Sequence, residues 1–150
     1  MWQRPQTLFL AVAIIALLVS LVFPIWTIEG GDVRVLTAFY FREGDAYNYN
    51  PYSLAAILAF ASATLAFTEI TKYKNRITQI KIGALNSLFM VGTAMTAFYF
   101  SNQLMKSAAG TVGHYGMGMW LPFVAVLCNL VANRLIRRDE KLVRDSDRLR

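Results

Sequence analysis

The chain has 150 residues, room for one domain, of which 56% are apolar, and its mean hydropathy is +0.41. This composition excludes an ordinary soluble fold and indicates a protein whose solvent is the lipid bilayer. The net charge of +6 does not indicate nucleic-acid binding, because the basic residues avoid the long apolar stretches and gather at their ends. Since Cys128 is the single cysteine, an intramolecular disulfide framework and a cysteine-based metal cluster are also excluded.

Four apolar stretches are each long enough to cross a bilayer as a helix, which takes about 20 residues. They cover approximately residues 7–26, 52–70, 80–100 and 117–136. The first is a full span with no small-residue cleavage site after it, so we interpret it as an uncleaved helix rather than a secretory signal. The sequence therefore predicts one all-α membrane domain over residues 1–150, a four-transmembrane-helix bundle. Its outer loops are expected at 27–51 and 101–116, and a charged tail at 137–150.

The distribution of Lys and Arg predicts the orientation of the bundle. Twelve of these residues lie at the two ends of the chain and around the connection between the second and third helices. Three lie on the opposite side: Arg34, Arg42 and Lys106. Because basic residues favour the cytoplasmic side, we expect both termini in the cytoplasm, which agrees with an even number of spans.

The first outer loop is predicted to hold a short β-hairpin. Residues 33–41 are rich in β-branched and aromatic side chains, residues 47–50 alternate with period two, and turns are expected at 30–32 and 43–45. The loop also has a dense set of aromatic residues: Phe39, Tyr40, Phe41, Tyr47, Tyr49 and Tyr52. These side chains can lie at the membrane interface, fill a hairpin core or contact another protein, and the sequence leaves the three alternatives open.

Small residues at helical spacing let two helix backbones approach closely, which is a main source of helix association in lipid. The candidate packing residues are Ala55, Ala59 and Ala63 in the second helix, and Gly83 and Gly92 in the third. Packing within one chain is the simpler interpretation. A contact between copies in a homo-oligomer is the alternative.

Polar side chains within apolar helices are candidates for function, because each is costly unless it is paired. Asn86 lies in the third helix, and Asn129 and Asn133 lie one turn apart in the fourth. We interpret them as interhelical hydrogen-bonding groups, with the lining of a polar path as the alternative. Glu69, near Lys72, is expected to be an ordinary charge at the cytoplasmic interface, with a coupling or gating carboxylate as the alternative. We expect no acidic, lysine or histidine side chain deep in a helix, so a proton-coupled transporter would lack its relay.

No residue pattern indicates an enzyme. The lone His114 lies in a glycine-rich turn, and neither a Gly-x-Ser-x-Gly elbow nor a phosphate-binding glycine loop is present. The acidic residues of the first outer loop could support carboxylate chemistry, but solvated acids are the simpler interpretation: Glu29, Asp32, Glu43 and Asp45. We therefore predict no catalytic, cofactor or metal site.

The last segment, residues 132–150, places Leu135, Leu142, Val143 and Leu149 near helical spacing among charges of both signs. This pattern predicts that the fourth helix continues into the cytoplasm as an amphipathic helix. Its basic side should favour anionic lipid headgroups by about 1 kcal/mol per well-placed residue. The candidate lipid contacts are Arg137, Arg138, Lys141 and Arg144. A protein partner bound through this tail or the outer loop is a further interpretation.

Both ends of the sequence resemble a known family. The start, Met1-Trp2-Gln3-Arg4-Pro5-Gln6-Thr7 followed by an aliphatic run, resembles the MxQRxQT start of small membrane proteins classified as domain of unknown function 4293. The segment 132–150 is similar to the tail of that family. Pro5 departs from the pattern, where an aliphatic residue is more usual, but a first-turn proline is compatible with a helix start. The resemblance implies a Bacteroidota inner membrane and no particular activity.

Two functional hypotheses follow from these features. The first is a non-enzymatic accessory or scaffold subunit of a membrane complex, which uses the outer loop and the tail as contact surfaces. The second is a small transporter or channel component, oligomeric, in which the polar intramembrane residues line a path. A membrane-embedded enzyme has no constellation of residues to support it.

Overall fold

The computed structural model describes residues 5–28, 33–73, 75–107 and 113–148, and the side chains as far as Asp145. In chain order its elements are α1 (Pro5–Val22), β1 (Trp26–Ile28), β2 (Arg34–Leu36), β3 (Phe41–Glu43), β4 (Ala46–Asn48), α2 (Leu54–Thr71), α3 (Arg76–Ser107), β5 (His114–Tyr115) and α4 (Met117–Arg148). All four predicted helices are present. Each is long and apolar enough to cross a membrane.

The four helices form a bundle in which α1 packs against α2 and α4, and α3 packs against α2 and α4. The helix faces inside the bundle carry many small residues, such as Ala13, Ala59 and Ala125. Large apolar side chains point outward instead, and Leu88 is 68% exposed. Small residues inside and large apolar residues outside suit a bundle surrounded by lipid, because close backbone packing then holds the helices together.

A five-stranded antiparallel sheet lies where α1 ends and α4 begins, in the order β4-β3-β2-β1-β5. The predicted hairpin is therefore present, but it is part of a larger sheet. Glu43 pairs with Ala46 across a two-residue turn, in which Gly44 has a φ of 58°. This left-handed conformation favours glycine, so the turn predicted at 43–45 is confirmed. The other predicted turn, at 30–32, lies outside the described residues.

The second outer loop joins this sheet through β5, which pairs with β1. The N–H of Gly116 donates to the carbonyl of Ile25 at 2.9 Å. A β-carbon at Gly116 would overlap the carbonyl oxygen of Pro24, so glycine is required for this close approach. The contact fixes the start of α4 against the end of α1.

Several predicted bounds are wrong in ways that polarity explains. The helix α1 ends at Val22, four residues early, because Pro24 lies next and Trp26 enters the sheet. The helix α3 has 32 residues, about 48 Å, and extends beyond the predicted span 80–100 at both ends. Its polar ends are helical without being apolar, so hydropathy does not detect them. Residues 101–107 are thus helix and not loop.

The predicted continuation of the fourth helix into the tail is confirmed, since α4 runs to Arg148. This extension is attached to the start of α3, because Arg76 Nη1 donates to the carbonyl oxygen of Asp139 at 2.6 Å. On the extension, Leu142 is 61% exposed, so an apolar side chain faces outward there. The sheet and the two charged helix ends consequently lie at opposite ends of the bundle.

Candidate functional site

A network of polar side chains joins α2, α3 and α4 inside the bundle. The Ser62 hydroxyl donates to Asn86 Oδ1 at 2.6 Å, and Asn86 Nδ2 lies 3.5 Å from Asn129 Oδ1. Asn129 Nδ2 in turn donates to Ser87 Oγ at 2.8 Å and to the carbonyl oxygen of Gly83 at 3.2 Å. The contacts of Asn86 and Asn129 match their interpretation as interhelical hydrogen-bonding groups.

The sequence prediction did not include Ser62, although a signal for it was present. Ser62 lies three residues after Ala59 and seven before Glu69, so all three occupy one face of α2. That face is buried at Ala55, Ala59 and Ser62, and Ala63 beside it is buried too. A single chain thus buries the whole set of predicted alanine contacts, as expected for packing within one bundle.

Glu69 does not lie at an interface beside Lys72, so the expectation of an ordinary interfacial charge is wrong. Its side chain is fully buried, because it continues the alanine face of α2 that packs against α3. Neither carboxyl oxygen has a hydrogen-bond partner in the described part of the chain. The expectation that the helices hold no interior acidic side chain is therefore wrong as well.

Two amide oxygens share the condition of the Glu69 carboxyl group. Asn133 Oδ1 and Gln79 Oε1 are both buried and have no donor among the described residues. Gln79 is held close by, since its Nε2 donates to the backbone carbonyl oxygen of Glu69 at 3.0 Å. We call Glu69, Gln79 and Asn133 the acceptor cluster. Buried acceptors without donors cost free energy, so a cluster of them in a native bundle points to a function.

Gly83 is the residue against which this cluster packs. A β-carbon built on Gly83 would overlap Asn133 Oδ1 and lie 2.7 Å from Glu69 Oε1. Gly83 therefore makes room for polar side chains of α2 and α4. At Gly92 the nearest atom to such a carbon would be Leu58 Cδ1 at 3.5 Å, an ordinary van der Waals distance. Of the two predicted packing glycines, Gly83 alone is sterically required.

A surface groove between α3 and α4 reaches Asn133 from outside the bundle and measures about 400 Å³. Its lining residues are Ala84, Ser87, Leu130, Asn133, Arg134 and Arg137. A neighbouring cleft of about 550 Å³ is lined by Ile80, Arg137, Glu140, Lys141, Arg144 and Asp145. Three of the four predicted lipid-contact residues line these two sites, and Arg138 is exposed but lines neither.

The aromatic residues of the first outer loop divide into a buried and an exposed group. Tyr52 lies between Phe41 and Phe100, with ring centroids 5.4 Å and 5.1 Å apart, and so joins the sheet to α3. Tyr47 and Tyr49 are exposed and contact Tyr40 by their edges. The hairpin-core and surface alternatives thus each apply to part of the set.

No group of three or more His, Cys, Asp or Glu side chains that could hold a metal ion occurs in the described ranges. His114 lies in β5, where it pairs with Thr27. Of the four acidic loop residues, Glu29 and Asp32 lie outside the described residues. Glu43 is half-exposed and forms an ion pair with Arg34 at 2.7 Å.

A comparison with family models finds a match over residues 2–149 to the model described as Domain of unknown function (DUF4293). The match confirms the resemblance seen at the two ends of the sequence and extends it over the bundle. The comparison with curated proteins gives no match.

Proposed function

Since the chain belongs to the DUF4293 family, whose function is unknown, we propose a function from the geometry of the chain itself. It is a non-catalytic subunit of a bacterial inner-membrane complex, with four spans and both termini in the cytoplasm. The bundle is the anchor, and the sheet at one end recruits a partner protein. Support for the membrane placement comes from the outward-facing apolar side chains and from the basic residues collected at one end.

The exposed edge of the sheet is the observation that carries this proposal. The strand β4 is the outermost strand, paired with β3 on one side, and its three side chains are all exposed. Soluble edge strands are usually protected by charges or proline, whereas β4 reads Ala46-Tyr47-Asn48. An extended segment of a partner can add to such an edge through main-chain hydrogen bonds, with Tyr47 and Tyr49 as aromatic contacts.

Affinity capture tests this proposal. The tagged full-length chain would be crosslinked in native membranes, extracted in mild detergent, and its partners identified by mass spectrometry. We expect one stoichiometric partner, at least tenfold depleted when Tyr47→Pro removes a backbone donor from β4. The matched control is Tyr99→Pro-free: Tyr99→Ala, which removes an exposed tyrosine from α3 and should leave the partner in place. Equal depletion by both variants, or recovery of the chain alone, would contradict the proposal.

The predicted role of the tail is tested in the same capture. Truncation after Leu135 removes the extension of α4 together with its anchor to Arg76. A scaffold that also uses its tail should lose capture on this truncation but keep it with Asn86→Leu, provided that the bundle still packs.

A second candidate function, a small transporter or channel component, is favoured by the acceptor cluster. A fully buried carboxyl group without a partner is a typical feature of ion and proton paths. We expect a transporter to lose more than 90% of its flux in proteoliposomes with Glu69→Gln. The Thr64→Val control changes an exposed polar residue of α2, so its flux should match that of the unaltered chain. Unchanged flux in the Glu69 variant would eliminate this candidate.

A further inference from the structure

The groove between α3 and α4 has an amphipathic order along its length. Arg134 and Arg137 line the part near the end of α4, and Leu130 lines the part closer to the middle of that helix. On α3, Ala84 forms the opposite wall, and Leu88 one turn further toward the middle is 68% exposed. The groove is thus cationic at the charged end of the bundle and apolar toward the centre.

The two arginines are available to a ligand. Both side chains are exposed, and neither pairs with a carboxylate in the described ranges, where the ion pair formed is that of Arg34 and Glu43 in the sheet. Arg137 also borders the neighbouring cleft, but Glu140 and Asp145 there are not within ion-pair distance of it. Ser87 and Asn133 add polar groups to the wall between the charged and apolar parts.

We propose that this groove binds an anionic phospholipid, with the phosphodiester headgroup at Arg134 and Arg137 and an acyl chain over Leu130 and Leu88. Guanidinium groups match phosphate oxygens in charge and in geometry. Basic pockets between transmembrane helices are suited to anionic headgroups. The order of the groove fits an amphiphile that enters from the bilayer, because a free anion would leave the apolar part unused. The site is independent of the partner proposed for β4, which lies at the other end of the bundle.

The site is more specific than general attraction of the basic tail to a membrane surface. Arg138 is next to Arg137 in sequence and equally basic, but it does not line the groove. Lys72 is likewise exposed and outside the groove. If headgroup binding required charge alone, these residues would contribute as much as Arg134 and Arg137.

Native mass spectrometry of the delipidated full-length chain in neutral detergent tests the site. The probes are dioleoyl phosphatidylglycerol, dioleoyl phosphatidylcholine and inorganic phosphate. We expect one tightly bound phosphatidylglycerol, and about 10- to 30-fold weaker binding in the Arg134→Gln/Arg137→Gln double variant. The Arg138→Gln/Lys72→Gln variant removes the same charge elsewhere and should bind like the unaltered chain.

A steric variant keeps the test independent of charge. Ala84→Leu places a large side chain in the groove without altering either arginine, and it should weaken phosphatidylglycerol binding at least tenfold while thermal unfolding of the bundle is unchanged. Equal losses in the two charge variants would overturn the proposal in favour of general surface attraction. Equal binding of phosphatidylcholine, or displacement of the lipid by millimolar phosphate, would overturn it as well.

Discussion

Substitution of Gly83 by alanine is expected to destabilise the bundle by about 1–3 kcal/mol. The added carbon would collide with Asn133 Oδ1 and press on Glu69 Oε1, both inside the packed interior. This loss should outweigh the helix preference of alanine, which is about 1 kcal/mol. Reversible unfolding of the purified chain in detergent measures the effect.

Gly92→Ala is the matched control, because the same substitution in the same helix meets only Leu58 at an ordinary distance. It should be neutral or slightly stabilising. The Gly83→Ala/Asn133→Ala double variant should recover part of the loss, since the colliding side chain is then shorter. Equal effects of Gly83→Ala and Gly92→Ala would show that Asn133 and Glu69 do not pack against Gly83 as described.

Substitution of Glu69 by methionine is expected to stabilise the bundle by about 1–3 kcal/mol, an unusual direction for a change at a fully buried position. The carboxyl oxygens lack donors in the described part of the chain, and methionine fills a similar volume without a polar group to satisfy. Unfolding in detergent again gives the measurement. Ser62→Ala on the same helix face is the control and should destabilise, because it removes the hydroxyl that donates to Asn86.

Together the two results would distinguish a structural residue from a functional one. A residue that lowers stability and is nevertheless present is a candidate for function, since activity often depends on groups that are unfavourable for folding. Loss of stability in Glu69→Met would instead mean that the carboxyl group has a favourable partner, and the acceptor cluster would then need no functional explanation.

The spans and the tail helix could be predicted because their signals are local. Twenty apolar residues in a row are sufficient to identify a membrane helix, and the spacing of Leu135 and Leu142 was sufficient to extend the fourth helix. The Gly44 turn was predicted for the same reason. Asparagines in apolar helices need partners, so Asn86 and Asn129 were also predictable as interhelical groups, although not which residues they would bond.

The remaining features depend on how distant segments meet. Glu69 lies close to Lys72 in sequence, and only the packing of α2 against α3 decides that its side chain is inside. The pairing of β5 with β1 joins residues almost ninety positions apart, so no local pattern predicts it. The role of Gly83 likewise depends on Asn133, a residue of another helix.

Photocrosslinking from β4 in native membranes tests the central claim most directly. A photoreactive amino acid would replace Tyr47 on the exposed edge and, in a second variant, Leu88 on the outward face of α3. The proposed subunit predicts one crosslinked protein of a different sequence from position 47, and only lipid from position 88. Crosslinks from position 47 to no protein, while the chain remains folded and in the membrane, would contradict the account.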